Sequence, residues 1–279
     1  MPERFAREST RHRFTAREVT VIAVSNPVPS FVRVTLAGGP DMHDFSSTGP
    51  ADHAKVFFPH PFTGELVAPV AAGPDEDGLV RPDGQTFGRD FTPMNPRIDP
   101  ASGLPIFDLD FFRHDDPGPA SGWAEKAAVG DRIVVVGPRG SRRAPEGLTR
   151  LLCIVDPTAL PSAARWILAA PADCDIEVVA DVSYDDVDWV AEYLRVTTGR
   201  EVPVREALGG LDQALRDSEL GDDTFLFAAG DANRLIPLRR MVRDELGLPK
   251  EQYQLSGYWR RGEANFDHHS PIDPADPED

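Results

Sequence analysis

The chain has 279 residues, a length that suits one large domain or two modest ones. Hydrophobic residues make up 41% of it, enough for a real core, which excludes disorder along the whole length. The formal net charge is −17, and this disfavours nucleic-acid binding, which needs a basic surface. The 27 prolines and 23 glycines indicate many turns, as in β-rich folds.

Three features of the sequence predict a cytoplasmic protein. No stretch approaches the roughly 18 apolar residues of a membrane-spanning helix. The charged start, Met1–Thr10, lacks the apolar run of a secretory signal. Cys153 and Cys174 both lie within apolar runs, which is typical of reduced, buried thiols rather than of a disulfide or a metal pair.

The first half of the chain has a β-like pattern. An arginine-rich segment, residues 1–14, is predicted to be a flexible arm. Short apolar or β-branched segments separated by turn clusters then predict strands at Val19–Val24, Phe31–Leu36, Val56–Phe58, Ile106–Phe112 and Arg132–Gly137. This spacing favours an antiparallel barrel or sandwich, and the predicted domain covers residues 15–145.

The second half has an α/β rhythm. Continuous apolar runs predict buried parallel strands at Leu151–Val155, Ile176–Ala180 and Thr224–Ala229. Helices are predicted at Leu160–Ala170, near Gly209–Arg216 and at Ala232–Leu246. The alternation predicts a parallel sheet with helices on its faces over residues 146–262. Residues 263–279, with six acids and no Lys or Arg, are predicted to be a disordered acidic tail.

Common catalytic signatures do not occur in the sequence. There is no Gly-x-Ser-x-Gly elbow, His-Glu-x-x-His, Walker loop or Gly-x-Gly-x-x-Gly. This weakens hydrolase, metalloprotease and NTPase interpretations. Any nucleotide bound here must therefore use a different loop.

Two blocks in the first half carry candidate binding residues. Arg89 and Phe91 lie on one side of a predicted strand, where arginine can bind a phosphate and an aromatic ring can stack on a flat heterocycle. An ordinary strand is the alternative, and the motif on its own does not specify a binding site. The small residues between His114 and Trp123 could bring backbone N–H groups to an anion before a helix. A turn with an N-cap at Ser121 is the alternative.

Three blocks in the second half are also informative. The segments Asp156–Pro161 and Ala229–Asn233 each follow a predicted parallel strand, where open α/β sheets bind ligands. Together they favour a dinucleotide cleft, although Thr158 could simply cap its helix. The segment Gly257–Gly262 sets two aromatics beside two arginines, which could instead be solvated surface charges.

Taken together, the blocks resemble the siderophore-interacting protein family, part of the ferredoxin-reductase-like superfamily of flavin oxidoreductases. The resemblance runs from about residue 15 to 262. It is carried by Asp52–Lys55, Val56–Pro59, Arg89–Thr92, Gly118–Ala124, Gly130–Asp131, Gly137–Ser141, Asp156–Pro161, Ala229–Asp231 and Gly257–Gly262. It implies an antiparallel Greek-key β-barrel that binds FAD, followed by a Rossmann-like parallel-sheet domain that binds a nicotinamide nucleotide.

The resemblance also implies a role for each matched residue. Arg89 would meet FAD phosphate, Phe91 would stack on the isoalloxazine, and Thr92 would approach the flavin ring. The pyrophosphate would be wrapped by Gly118, Pro119, Ala120 and Ser121. The nicotinamide-nucleotide cleft would be lined by Asp156, Thr158, Ala159, Gly230 and Asp231. Further cofactor contacts are predicted at His114, Trp123 and Trp259.

The family holds its anionic ferric chelate with a basic cluster. The best matches here are Lys55, Arg142 and Arg260, with Arg139 and Arg261 as alternates. The resemblance therefore implies that these cations face one pocket beside the flavin.

Three departures from the family pattern concern individual contacts. Phe91 stands where the family usually has Tyr, so a hydroxyl hydrogen bond is lost. Met94 replaces a basic residue and puts one phosphate contact in doubt. Pro157 replaces a glutamate and removes a donor N–H, which affects cofactor preference or affinity.

The activity implied by the resemblance is reduction of ferric siderophores, with electrons moving from NADPH or NADH through FAD to Fe(III) so that iron is released. No protein acid or base and no resident metal is required. The expected partners are the siderophore and, as a possible donor, a ferredoxin; the expected state is a monomer without a nucleic-acid or membrane partner. Two alternatives stay open: a flavin or ferredoxin-type reductase serving a protein partner, and a non-catalytic siderophore-binding module.

Overall fold

The computed structural model describes residues 4–114 and 117–277, which divide into two compact units. One unit is Ser9–Arg143, and the other combines residues 4–8 with residues 144–277. The outer ends of the predicted arm and tail, residues 1–3 and 278–279, and the two aspartates after His114 lie outside the described residues. Within the described ranges, no helix has both the length and the apolar character needed to cross a bilayer.

The unit Ser9–Arg143 is built on antiparallel strands. Its elements are β1 (Ser9–Arg11), β2 (Ala16–Ser25), β3 (Phe31–Gly38), β4 (Ala54–Phe58), β5 (Val70–Ala71), β6 (Leu79–Val80), β7 (Phe87–Phe91), β8 (Met94–Ile98), β9 (Pro105–Phe112), α1 (Pro119–Ala124), β10 (Arg132–Val136) and β11 (Gly140–Arg142). Seven of the strands form a curled half-barrel in the order β7-β4-β10-β2-β3-β9-β8. The edge strands β7 and β8 are consecutive in sequence, and β7 carries the predicted flavin motif.

Alternating apolar residues explain the core of this sheet. In β3 the side chains of Val32, Val34 and Leu36 are buried while the residues between them are more exposed, as a period of two requires. They pack with apolar side chains of β2, β4, β9 and β10 in one cluster. The predicted antiparallel β-fold is confirmed.

The unit with residues 144–277 is an α/β fold. Its elements are β12 (Arg150–Val155), α2 (Leu160–Ala169), β13 (Asp175–Ala180), α3 (Val187–Thr198), β14 (Val204–Glu206), α4 (Leu211–Arg216), β15 (Thr224–Asp231), α5 (Ala232–Arg240) and β16 (Tyr253–Trp259). All five strands are parallel, in the order β14-β13-β12-β15-β16. Every residue of β15 is buried, as the continuous apolar run predicts. The predicted Rossmann-like parallel sheet is confirmed.

The sequence pattern does not predict α3, β14 or β16. The helix α3 mixes charged and β-branched residues and buries only Val190, Tyr193 and Leu194. Its end is set by Gly199, which takes a left-handed conformation with φ 68°. The strands β14 and β16 are held by pairing with β13 and β15 rather than by an apolar run of their own.

The described part of the predicted flexible arm is ordered, so that prediction is wrong there. Residues Ser9–Arg11 form β1 and pair with β11. The ring of Phe5 is 7% exposed and lies 5.9 Å from the ring of Phe225. An apolar anchor and a strand partner, neither visible in the local composition, outweigh the charge of this segment.

The described part of the predicted disordered tail is ordered as well. Ile272 is buried and belongs to the core cluster formed with α4, α5 and β15. Asp273 is buried and accepts from Arg240 at 2.5 Å, and Asp276 pairs with Arg243. The acids of this segment therefore neutralise arginines of the last helical region, which composition alone does not reveal. The predicted domains, residues 15–145 and 146–262, stay a prediction.

Candidate functional site

Arg89 and Phe91 lie on the same side of the edge strand β7. The strand pairs with β4, so that Arg89 lies opposite Val56 and Phe91 opposite Ala54. Both side chains are half-buried. An edge strand leaves one side of its motif without a strand neighbour, and the motif is therefore open to a ligand.

The guanidinium of Arg89 has an unusual environment. Its Nη1 donates to the carbonyl oxygen of Gly88 at 2.7 Å, and it makes no ion pair with any residue that the structure describes. Burial lowers the pKa of Arg89, and the nearby Asp90 only partly offsets this effect. A partly desolvated cation that pairs with none of the described carboxylates is suited to an external anion such as a phosphate.

Phe91 is one member of an aromatic group. Its ring centroid lies 4.5 Å from that of Phe111 and 5.9 Å from that of Phe58. Trp123 of α1 contacts the same two rings, at 5.8 Å and 5.2 Å. The half-buried Phe91 ring is thus fixed on an apolar base, which suits it for stacking on a flat heterocycle.

The predicted pyrophosphate segment lies at the start of α1. Gly118 is the N-cap residue with φ −69°, and among the described side chains none caps the helix. A Cβ placed at Gly118 would have no heavy atom within 4 Å, so the backbone is open there. Ser121 lies inside the helix and donates to the Gly118 carbonyl at 3.4 Å, so the alternative of an N-cap at Ser121 is wrong.

The other predicted residues beside this segment differ in exposure. Ala120 is buried and Pro119 is partly exposed. His114 is exposed, and its ring lies 5.0 Å from that of Phe112. Thr92, directly after β7, is buried, and Met94 at the start of β8 is fully buried. Met94 therefore fills the core where the family has a basic residue.

These features fit the flavin dinucleotide that the resemblance implies. Arg89 supplies a half-buried cation, Phe91 a fixed aromatic face, and Gly118 an open backbone. The donor set suits a dinucleotide with an anionic pyrophosphate and a flat ring. The individual contacts of the predicted residues with FAD stay predictions.

A buried carboxylate organises the second predicted region, at the carboxyl edge of the parallel sheet. Asp156 follows β12, and its Oδ1 accepts from the backbone N–H and the hydroxyl of Thr158 at 2.9 Å and 2.6 Å. Its Oδ2 accepts from the backbone N–H of Asp231 at 3.0 Å and from Nε1 of Trp259 at 2.7 Å. Burial raises the pKa of Asp156, while these four donors act in the opposite direction.

Asp156 therefore caps the first turn after β12, and Thr158 does not. Pro157 lies at the first position of that short 3-10 turn, where a backbone N–H has no partner to lose. Ala159 is buried. Both oxygens of Asp156 are occupied by protein donors, so the carboxylate holds the edge together, and its predicted contact with a nucleotide stays a prediction.

Gly230 and Asp231 close the same edge from β15. Gly230 has φ 147°, and a Cβ there would lie 2.5 Å from the Asp156 carboxyl carbon. Glycine is thus required for β15 to approach Asp156. Asp231 caps α5 by accepting from the backbone N–H of Asn233 at 3.1 Å. The structure thus brings Asp156, Thr158, Gly230, Asp231 and Trp259 together, as predicted residues of one cleft.

Sequence analysis does not single out one ion pair at this edge. Asp181 follows β13, and its carboxylate accepts from Nε and Nη2 of Arg234 at 2.8 Å and 2.5 Å. An acidic residue at the end of the strand after the first nucleotide-binding turn is the sequence signal that could have indicated it.

The predicted substrate cations of the unit Ser9–Arg143 are exposed. Lys55 lies on β4, and its Nζ is 3.2 Å from an Asp90 oxygen. Arg142 lies on β11 opposite Ser9 and is exposed. The alternate Arg139 has its guanidinium 5.3 Å from the centre of the Phe14 ring.

The predicted substrate cations of the other unit differ from each other. Arg260 is largely buried, and its Nη2 donates to the carbonyl oxygens of Pro271 and Ile272 at 2.9 Å and 3.2 Å. Its guanidinium lies 4.7 Å from the centre of the Phe266 ring. The C-terminal segment therefore binds this arginine. Arg261, the alternate substrate residue, is exposed, so its side chain is more accessible to a ligand than that of Arg260.

A curled antiparallel half-barrel followed by a five-stranded parallel sheet is the fold of the ferredoxin-reductase-like class of FAD- and NAD-binding proteins. The ferredoxin reductase of carbazole 1,9a-dioxygenase shares this fold with a TM-score of 0.60 at 19% identity, covering 88% of this chain and 68% of that one.

Within that class, the chain belongs to the siderophore-interacting protein family. The profile of the siderophore-interacting FAD-binding domain matches residues 20–142, and that of the siderophore-interacting protein matches residues 148–262. The first half is thus an FAD-binding domain of this family.

Named relatives cover nearly the whole chain. The NADPH-dependent ferric-chelate reductase of Escherichia coli is 32% identical over 260 residues, 90% of this chain and 96% of that protein. The ferric vibriobactin reductase of Vibrio cholerae is 26% identical, over 86% of this chain and 88% of that protein. A siderophore utilization protein from T. fusca is similar in structure, with a TM-score of 0.77, 32% identity and coverage of 95% and 100%.

Proposed function

We propose that this chain is an FAD-dependent ferric-siderophore reductase that takes electrons from NAD(P)H and reduces Fe(III) held in a siderophore. One observation carries the proposal: β7 of an FAD-binding domain of this family presents a half-buried arginine that makes no ion pair within residues 4–114 and 117–277, beside a fixed aromatic ring. Relatives of similar length named as ferric-chelate and ferric vibriobactin reductases support the substrate class.

The chain's own residues bind and orient the cofactor. Arg89 compensates phosphate charge, Phe91 offers an apolar face to the flavin ring, and the open backbone at Gly118 accepts the pyrophosphate. FAD, when bound, supplies the exchange between a hydride donor and a one-electron acceptor. Electron transfer to the iron needs no protein acid or base.

Iron release follows from the chemistry of the substrate. Hard siderophore oxygens bind Fe(III) strongly, and reduction to Fe(II) lowers the charge and weakens the chelate. The reductase therefore releases iron without breaking a covalent bond of the siderophore.

The net charge of −17 does not prevent binding of an anionic chelate. A cation about 6 Å from an anionic oxygen contributes up to about 3 kcal/mol at an effective dielectric of about 20. Distant acids are screened beyond about 8–10 Å in physiological salt. Exposed cations such as Arg142 and Arg261 can therefore dominate locally, whereas the charge of Lys55 is partly offset by Asp90 at 3.2 Å.

The setting of the reaction is part of the proposal. Both Cys153 and Cys174 are free and buried, which supports a reducing cytoplasm. The protein acts as a monomer, which light scattering of the purified protein tests. A ferredoxin is the alternative electron donor.

A two-stage experiment tests the proposal. The visible spectrum of the purified protein is recorded first, and we expect the absorption bands of one FAD per chain. The bound flavin is then photoreduced without oxygen and mixed with a ferric siderophore in the presence of a ferrous-trapping dye. Reoxidation of the flavin with formation of the ferrous complex is the expected result.

The alternatives give different results. A colourless protein that does not take up added FAD but binds the ferric chelate would be the non-catalytic binding module. A flavoprotein that reduces ferredoxin or free flavin, but leaves the chelate oxidised, would be the other reductase. Either result would contradict the proposed function.

A further inference from the structure

Asp181 occupies a defined place at the carboxyl edge of the parallel sheet. It follows β13, the strand that pairs with β12, and its backbone N–H donates to the carbonyl oxygen of Val155 at 2.8 Å. The strand order reverses between β12 and β15, and open α/β sheets bind dinucleotides at such a point. In that arrangement the acid after the second strand faces the adenosine ribose hydroxyls.

The carboxylate of Asp181 is held by one arginine. Arg234, in the first turn of α5, donates through Nε and Nη2 to the two oxygens of Asp181 at 2.8 Å and 2.5 Å. The carboxylate side chain is 19% exposed and the arginine side chain is 46% exposed. The arginine of the pair is therefore accessible to an approaching ligand, while its carboxylate partner is largely shielded from water.

The neighbourhood of the pair is acidic. Glu206 ends β14 and lies beside Ala180, the residue before Asp181. Asp185 and Asp186 follow in the next short turn. Both Asp181 and Asp231 attract Arg234 and raise its pKa. A further dianion placed beside Arg234 would meet repulsion from the carboxylates of Asp181 and Asp231.

We infer that the Asp181–Arg234 pair is a specificity determinant that makes the nucleotide site prefer NADH over NADPH. The inference rests on the proposed function, because it concerns the electron donor of the same reductase. Asp181 accepts from the ribose hydroxyls of NADH, and its carboxylate keeps Arg234 from serving a 2′-phosphate.

The two nucleotides differ at this position only by the phosphate group. A 2′-phosphate carries a charge of about −2 near neutral pH, and it would have to separate Arg234 from Asp181 and remain next to the released carboxylate. A 2′-hydroxyl is uncharged, so it can donate a hydrogen bond to the Asp181 carboxylate while the ion pair with Arg234 stays intact. The Escherichia coli relative is named for NADPH, and the pair predicts a different preference in this chain.

The experiment uses two mononucleotides that differ only in the 2′-phosphate. Calorimetry measures the Kd of the FAD-loaded full chain for 5′-AMP and for adenosine 2′,5′-bisphosphate at low ionic strength. For the parent protein, we expect the bisphosphate to bind no more tightly than 5′-AMP. In Asp181→Asn, Arg234 is released, and we expect the bisphosphate to bind at least tenfold more tightly while 5′-AMP changes less than threefold.

Two further variants separate the pair from general charge effects. Asp181→Asn combined with Arg234→Ala removes the released cation, so the tenfold gain should disappear. Glu192→Gln removes one negative charge from the exposed Glu192–Arg195 pair on α3, and it should leave both Kd values unchanged. The ratio of kcat/KM for NADH and NADPH should move with the mononucleotide ratio.

Several results would overturn the inference. These are a parent protein that prefers the bisphosphate tenfold, an Asp181→Asn variant without a changed ratio, or a chain that binds neither mononucleotide. The proposed function is tested independently, because photoreduced flavin reduces the ferric chelate without any nicotinamide nucleotide. A result that contradicts the role of the Asp181–Arg234 pair therefore leaves the photoreduced-flavin experiment unchanged. A chain that does not reduce ferric siderophores fails in the flavin experiment itself.

Discussion

The indole N–H of Trp259 donates to Oδ2 of the buried Asp156 at 2.7 Å. The same oxygen accepts the backbone N–H of Asp231 at 3.0 Å. One carboxylate thereby joins the ends of three strands, β12, β15 and β16. The nucleotide edge of the sheet is consequently held together by the buried carboxylate of Asp156, which accepts from four protein donors.

Trp259→Phe should destabilise the protein in a pH-dependent way. The change removes one donor from the Asp156 carboxylate, and we expect a loss of about 2 kcal/mol at pH 8, as for hydrogen bonds to charged groups. Burial already raises the pKa of Asp156, so the native state binds its proton more readily than the unfolded state does. Stability therefore falls as the pH rises from the ordinary carboxyl pKa through the native pKa.

Loss of the Trp259 donor raises the native pKa of Asp156 further, so the deficit should be larger at pH 8 than at pH 5. Urea unfolding at the two pH values measures this difference. Trp189→Phe is the matched control, because Trp189 donates to the partly exposed Asp186 at 2.8 Å and the change should lower the free energy of unfolding by less than about 1 kcal/mol. Equal deficits at both pH values would contradict the assigned role of Asp156.

Gly230→Ala should unfold the nucleotide edge. A Cβ at Gly230 would lie 2.5 Å from the Asp156 carboxyl, and φ 147° is strained for any L-residue. We expect the free energy of unfolding to fall by about 3 kcal/mol or more, because backbone strain and the steric clash with the buried carboxylate both destabilise the native state. Gly147→Ala is the control, with φ 73° and no neighbouring heavy atom within 4 Å, and it should cost about 1–2 kcal/mol. Similar costs for both would place Asp156 away from Gly230 in solution.

Phe91→Ala should weaken FAD retention by about tenfold or more. The change removes the aromatic face fixed by Phe111 and Phe58, and stacking contributes about 0.5–1.5 kcal/mol beyond area burial. Flavin absorbance per chain after gel filtration and the Kd for added FAD measure the effect. Phe91→Tyr keeps the ring and should retain FAD like the parent. If both variants retain FAD equally, Phe91 does not contact the flavin.

Arg142→Ala should raise the KM for an anionic ferric siderophore, by about tenfold for each 1.4 kcal/mol of lost attraction. Arg132→Ala is the matched control, because this exposed arginine already pairs with Glu18 at 3.1 Å and is not a predicted substrate residue. Flavin content and the rate with a neutral electron acceptor should not change in either variant.

Added salt should reproduce the effect of Arg142→Ala in the parent, because it screens the same charges. Steady-state kinetics at two ionic strengths decides the question. Should Arg142→Ala and Lys55→Ala both match the parent, those two cations are ordinary surface charges.

The fold and the cofactor motifs were accessible from sequence because they depend on local patterns. The apolar run of β15 predicts a buried parallel strand, and every residue of β15 is buried. The same holds for Arg89 and Phe91, whose spacing puts them on one face of a strand. Helix caps are less local. Ser and Thr often cap helices, so Ser121 and Thr158 are good candidates by residue type. The N-cap residues are instead Gly118 and Asp156, because the helical turns begin directly after them.

The sequence by itself determined the two-part architecture, the family and the residues that meet at the nucleotide edge. Periodicity, strand length and short motifs depend on neighbouring residues, and these are fixed by covalent order. Only the tertiary structure decided that Phe5 and Ile272 anchor the charged ends of the chain, and that Asp181 pairs with Arg234. These contacts join residues distant in sequence, and their strength depends on burial and geometry that composition does not encode.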